Sequence, residues 1–186
     1  MKTIKNKQTK KLKIKKYGGM KITYGFNGTI TRDRDSLYEG QDFFRKMTGN
    51  ENEIRICKLL MKNPHNNIVK IYAIGKDYID MELLNTRINP RNLFVIKNEI
   101  AGVKTYLQSI GIMYIDWKLD NLGISKDKQF KLFDFDVSGL IDINTNSWLI
   151  EPPRFWSYNS AVGNGMKVPT DIDNHAIDAM IASFLV

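Results

Sequence analysis

"YIDWKLDNLGIS", residues 114–125, sets two aspartates, a lysine and an asparagine inside an otherwise apolar run. Thirteen residues after Asn121 a second apolar run, "KLFDFDVSG", is broken by Asp134 and Asp136. Charge in such surroundings is costly unless it is paired or put to use. Either these acids are solvated turn residues, or two loops are held together for chemistry.

Composition bounds the answer. The chain has 186 residues, 42% hydrophobic and 11% aromatic, enough to bury a core without staples. A single cysteine, Cys57, allows no internal disulfide and fits a reducing compartment. No apolar run reaches the roughly 18 residues of a bilayer span, and the lysines at the N-terminus lead into no signal-like apolar stretch. The expectation is a soluble, intracellular protein with no membrane contact.

The net charge of +8 is not spread evenly. Residues 1–16, "MKTIKNKQTKKLKIKK", carry eight lysines and no acid, which leaves 20 basic against 20 acidic residues in the rest. The body is neutral and the charge is an arm. Such a run reads either as a solvated disordered tail or as a grip on nucleic acid or another polyanion, whose contact would weaken steeply with salt.

Along the chain, strands come first and helices later. "MKITYGF", then Asn27-Gly28, then "TITR" predicts a hairpin, with "DFFRKM" as a third strand. "NENEIRICKLLMKN" predicts a helix that places Glu53, Cys57 and Leu60 or Met61 on one face and stops before Pro64. "NIVKIYAIG" and "YIDMELL" read as two further strands. A second helix is expected from Asn92 to Ser109, with Leu93, Ile96, Ile100, Val103 and Leu107 as its apolar stripe. Short strands flank the acidic clusters, a loop-like stretch runs from Asp142 to Val168, and a last helix starts at Asp171. Thr170 and Asp173 resemble a capping pair for it, with Pro169 just before.

This order and these strings resemble the protein kinase family in a short, divergent form. "YIDWKLDN" is similar to the catalytic-loop motif H-R-D-L-K-x-x-N, with Asp116, Lys118 and Asn121 on its functional positions. "DFD" at Asp134 to Asp136 resembles D-F-G. "NEIRICKLLMKNPHNNIVKIY" looks like the family's C helix and the strand after it, with Glu53 at the ion-pair position. "YIDMELL" resembles the strand leading into the hinge, which makes Met81 the gatekeeper and Glu82 to Leu84 the adenine-facing backbone. "DIDNHAIDAMIASF" is similar to the start of the F helix, with Asp171 at the position that anchors the catalytic loop. The resemblance covers residues 20–186 in family order.

The implied fold is α+β and two-lobed: a basic arm at 1–19, a small antiparallel sheet with one helix and the hinge at 20–84, and a shortened, mainly helical part at 85–186 that ends near the F helix. The implied cofactors are ATP and magnesium, with Asn121 and Asp134 as metal ligands. Asp116 would accept the proton of the attacking hydroxyl, and Lys118 would stabilise the transferring phosphoryl group. Lys46 in "FFRK" would take the phosphate-binding position and pair with Glu53, unless Arg45 beside it does so or Lys46 is simply solvated. Gly25 and Gly28 of "GFNGTI" are a reduced glycine-rich loop, equally readable as a plain hairpin.

Four departures bear on function. Tyr114 and Ile115 replace the histidine and arginine before the catalytic aspartate, so loop phosphorylation is not expected to be needed. Asp136 replaces the glycine of D-F-G, either stiffening the loop or reaching a cation; small-molecule kinases also often have an acid there, whereas Lys118 points to the protein-kinase side. "EPPRFW" loosely replaces the A-P-E segment. The stop at "IASFLV" leaves Ile177, Met180, Ile181, Phe184 and Leu185 as an apolar face for a homodimer or larger partner to cover. The resemblance extends to kinases of large DNA viruses, which would place the chain in host cytoplasm or virion. The resulting expectation is a minimal serine/threonine protein kinase acting on a protein substrate. Its competitors are a kinase-fold binding module without turnover, and a basic nucleic-acid-binding protein that uses the arm.

Overall fold

The computed structural model describes residues 22–25, 28–31, 38–88 and 93–183. The basic arm lies outside them. So do residues 26 and 27 of the expected hairpin turn, and Phe184 and Leu185.

The chain is mixed α/β, with small antiparallel sheets and four α-helices among the described residues. Strands β1 (Ile22–Gly25), β2 (Gly28–Thr31), β3 (Phe43–Met47), β4 (Ile71–Ile74) and β5 (Tyr78–Glu82) form one sheet in the order β1-β2-β3-β5-β4. Gly25 pairs with Gly28, so Gly28 opens the second strand and is not a central turn residue as the Asn27-Gly28 reading had it. Helix α1 (Glu51–Lys62) packs on this sheet. Its start is set by Asn50, whose side chain accepts from the amides of Asn52 and Glu53 at 3.0 and 3.2 Å, satisfying two of the amides a helix leaves orphaned. Its buried face is Glu53, Ile56, Cys57 and Leu60, while Met61 is exposed.

Alternation along β3 separates two adjacent cations. In the β3–β5 register Lys46 lies opposite Ile79 and Arg45 opposite Asp80, and neighbouring strand residues point to opposite faces. Arg45 thus turns away from Lys46. It forms a bidentate pair with the wholly buried Asp80 at 2.6 and 2.7 Å, and its guanidinium lies 4.1 Å from the centre of the Tyr78 ring. Tyr38 donates to the same carboxylate at 2.8 Å; burial and this contact raise its pKa. The Arg45 side is a structural clamp, which leaves Lys46 for the other face.

Helix α2 (Leu93–Ser109) leads into β6 (Ile112–Met113), a single 3-10 turn (Leu119–Asn121), and the hairpin of β7 (Leu122–Ile124) and β8 (Phe130–Leu132). Ile100, Val103 and Leu107 of α2 are buried, as its apolar stripe predicts. Residues 67–69 run beside β8: Leu132 N donates to Asn67 O at 2.8 Å and Val69 N to Leu132 O at 2.9 Å. This seam joins the five-stranded sheet to the region of the acidic clusters.

The stretch read as a loop from Asp142 to Val168 is instead ordered. β9 (Gly139–Asp142) and β10 (Ser147–Ile150) form a hairpin against β6, followed by α3 (Trp156–Gly163). The turn has no glycine. Asp142 accepts from the amide of Asn144 at 2.8 Å, and Asn146 takes φ +51°, which asparagine tolerates better than most residues. Helix α4 (Pro169–Ala182) begins two residues earlier than expected, with Val168 as its N-cap. Thr170 and Asp173 are not a capping pair: Thr170 accepts from Asn146 at 2.8 Å, and Asp173 is buried beneath the catalytic-loop string. Nor does α4 leave Ile177, Met180 and Ile181 uncovered, since the first two are buried and the third packs on the core. Exposed large apolar side chains lie elsewhere, at Leu149, Phe155 and Trp156 among others. No helix among the described residues is long and apolar enough to cross a membrane.

Candidate active site

Lys46 is 8% exposed, and its ammonium contacts two carboxylates from distant parts of the chain: Glu53 Oε1 at 2.6 Å and Asp134 Oδ1 at 2.5 Å. Burial pulls a lysine towards neutrality, but the two negative charges outweigh it here and push the pKa up to about 12. The second oxygen of Glu53 is buried without a hydrogen-bond partner among the described residues. Cys57, one turn along the helix, is buried and its thiol pKa is raised by desolvation, so it is a poor nucleophile.

The string at 114–121 is a strained loop held from below. Ile115 is fully buried at φ +67°, a conformation that a β-branched residue adopts only when its surroundings impose it. Asp173 imposes it. Its carboxylate accepts from Ile115 N at 3.0 Å, Trp117 Nε1 at 2.7 Å and Gln108 Nε2 at 3.0 Å. Burial pushes the Asp173 carboxyl up, and these donors oppose that push. The anchoring role assigned to Asp171 therefore falls to Asp173. Two residues along a helix is about 200° of rotation, and the turn puts Asp171 in solvent.

Above this anchor, Asp116 Oδ2 accepts from Asn121 Nδ2 at 2.8 Å and meets Lys118 Nζ at 2.6 Å. Lys118 is half exposed; burial lowers its pKa and the hydrogen bond to Asp116 raises it, with a net rise. Asn121 Nδ2 also donates to the backbone of Asp116 at 3.0 Å. Its amide nitrogen is thereby committed to Asp116, and its carbonyl oxygen is the atom left to serve a cation.

The β7–β8 hairpin carries the chain back beside itself. Leu122 pairs with Leu132, and Phe133 N donates to Asn121 O at 3.0 Å, so Asp134 follows directly after the residue bonded to Asn121. Asp134 has φ +65°, the second left-handed residue without glycine in this region. Tyr114, where the kinase motif has histidine, donates to Phe133 O at 2.5 Å and packs edge-on against Phe135. Asp136 is half-buried, and its carboxyl is raised by desolvation and then by the nearby charge of Asp134.

The remaining expected residues are placed less closely. Gly28 lies opposite Lys46 in the β2–β3 register, which sets the glycine hairpin beside the lysine. Glu82 N is taken by Lys70 O at 2.8 Å, and its carboxylate lies 3.5 Å from Lys131. Leu84 packs so closely on Gly123 that a Cβ there would stand 2.7 Å from it, and Asn85 bonds Ile124 in both directions at 2.9 Å. A cleft of about 810 Å³ beside residues 82–85 is lined by none of Lys46, Asp116, Asn121 or Asp134.

Could these residues hold magnesium? Among the described residues no group of three or more His, Cys, Asp or Glu side chains forms a metal cage. Magnesium with a nucleotide does not need one: it keeps water and phosphate ligands and takes one or two protein oxygens. The carbonyl of Asn121 and the carboxylate of Asp134 are hard oxygen donors on adjacent backbone. The donor set fits.

Sequence reasoning passed over Asn50 and gave Asp173 only a capping role. Asn50 had a signal, the N-x-x-E pattern of a helix start; Asp173 had none that separated it from Asp171.

No family model matches the chain. Among curated proteins it is similar to mitogen-activated protein kinase 14 of Xenopus laevis, with 24% identity over 134 residues, covering 72% of this chain and 33% of that kinase. The chain spans about a third of the length of this curated relative. The likeness is distant and partial, and it is to a protein kinase.

Proposed function

We propose that the chain is a minimal protein kinase, transferring the γ-phosphoryl group of ATP to serine or threonine hydroxyls of a protein. The observation that carries this reading is the buried Lys46 bridging Glu53 and Asp134, residues 81 positions apart in the chain. A fold gains little stability from a buried triad of this kind and commonly keeps one for function.

The roles follow from geometry. Lys46, held by Glu53, is directed at the phosphates, and the glycine hairpin opposite it offers backbone amides to them. Asn121 and Asp134 would hold magnesium, which when bound neutralises charge on the phosphates. Asp116 orients the acceptor hydroxyl and takes its proton as the oxygen bonds to phosphorus and the bond to the ADP oxygen breaks. Lys118, paired with Asp116, faces the negative charge of the transferring group. Because Ile115 stands where the family has its phosphate-gripping arginine, and a closed β9–β10 hairpin follows Asp136, the reading needs no phosphorylated loop.

The test is transfer of labelled γ-phosphate to generic protein acceptors, run beside thermal shift with ATP and magnesium. Asp116→Asn is expected to lose transfer by about 100-fold or more while keeping the nucleotide-induced shift. A wild-type protein that is stabilised by nucleotide yet transfers nothing would overturn the enzyme reading. It would favour a second one, a nucleotide-binding module without turnover, to which the carboxylate of Asp136 in place of a flexible glycine lends support.

A further inference from the structure

Asn50 does more than start a helix. Its Oδ1 caps α1 through the amides of Asn52 and Glu53, while its Nδ2 reaches across 86 positions to donate to the backbone carbonyl of Asp136 at 2.8 Å. Asn50 is itself fixed from the β3 side, since its amide donates to Thr48 Oγ1 at 3.1 Å and Thr48 N donates to Asp77 O at 3.0 Å. The side chain of Asn50 therefore ties the helix bearing Glu53 to the loop bearing Asp134, and its backbone amide fixes it to the end of the strand bearing Lys46.

We infer that Asn50 is a positioning residue for the D-F-D loop, a neutral latch that holds Asp134 in place when the lysine is engaged elsewhere. The inference rests on the kinase reading in one respect. The region around Lys46 and the D-F-D loop is joined at two points here, the Lys46–Asp134 ion pair and the Asn50–Asp136 hydrogen bond. In a kinase cycle the ammonium turns to the phosphates and the ion pair loosens. The amide bond involves no charge, so it persists.

At position 50 the side-chain oxygen caps α1 while the side-chain nitrogen donates to Asp136 O. Asn50→Asp keeps the capping oxygen and deletes the donor at nearly constant shape; Asn50→Ser keeps a capping hydroxyl without adding charge. Both variants are expected to melt close to wild type. Hydrogen exchange of the peptide covering 133–138, where Phe133 N and Ser138 N are bonded to Asn121 O and Phe135 O, is expected to speed up roughly five- to tenfold, as one lost hydrogen bond implies. Exchange in α1 should not change. The turnover number should fall by a similar factor with the acceptor KM unaltered. Unchanged exchange at 133–138 in both variants would overturn the latch, as would equal acceleration along α1, the mark of a lost cap. If wild type transfers no phosphate, the kinase reading fails while the exchange comparison still judges Asn50.

Discussion

The two acidic loops carry the same kind of strain but are fixed in opposite ways. At 114–121 the left-handed residue is Ile115, held by a wholly buried carboxylate with three donors from within the fold. At 134–136 it is Asp134, partly exposed and held by Lys46, with the carbonyl of Asp136 held by Asn50 from the same β3–α1 corner. The first anchor has no access to a ligand and is part of the scaffold. In the second, the lysine is a charge that a phosphate can draw away from Asp134, while the neutral asparagine contact stays. On the proposed kinase reading, Asp116 as base would need a fixed platform, and Asp134 as metal ligand a partner that can let go.

The largest effect should come from breaking the scaffold anchor. Asp173→Ala leaves Ile115 N and Trp117 Nε1 without their acceptor and Gln108 Nε2 with only Asn174 Oδ1 at 3.3 Å, and is expected to destabilise the fold by about 4 kcal/mol in denaturant unfolding. A loss below about 1 kcal/mol would mean that Ile115 keeps its conformation without help.

The exchangeable anchor should break more gently. Lys46→Met leaves Glu53 and Asp134 facing each other unpaired, at a cost of about 3 kcal/mol, and abolishes the nucleotide-dependent thermal shift. The same pair predicts a pH dependence. Lys46 binds its proton more tightly in the folded chain, at about 12, than its ordinary 10.5, so its stabilisation is complete below pH 10.5 and disappears as pH rises through 12. The stability gap between wild type and Lys46→Met should close over that window. A gap that stays constant to pH 12 would assign the effect to packing of the lysine stem.

The smallest effect is a gain. Burial and Asp134 raise the Asp136 carboxyl above its ordinary 3.8, so ionising it costs more in the folded chain. Asp136→Asn should stabilise by less than about 1 kcal/mol at pH 7, and the advantage should vanish as pH falls below 3.8. A variant less stable than wild type at neutral pH would show that the carboxylate has a partner in the fold.

Much of the site was legible because its parts are local strings. Asp116, Lys118 and Asn121 sit within six residues, and a hairpin of the right length returns the chain to Asp134. The strands of the sheet, and both α1 and α2, followed from the turn signal at Asn27-Gly28, from helical stripes and from the stop at Pro64. The β9–β10 hairpin was missed because its turn uses Asp142 and Asn146 in place of glycine, and α4 was started late because Pro169 was taken as a boundary when it occupies the first turn.

Hydrophobic period and turn chemistry act over a few residues, so the order of strands and helices, the neutral body with its basic arm, and the candidate chemistry could be read along the chain. Whether Arg45 or Lys46 meets Glu53, whether Asp171 or Asp173 lies under the loop, and what the free end of Asn50 grips could not. Those choices depend on which face of a strand or helix is buried against a partner far away in sequence, and a buried charge is settled by the neighbour that meets it in space.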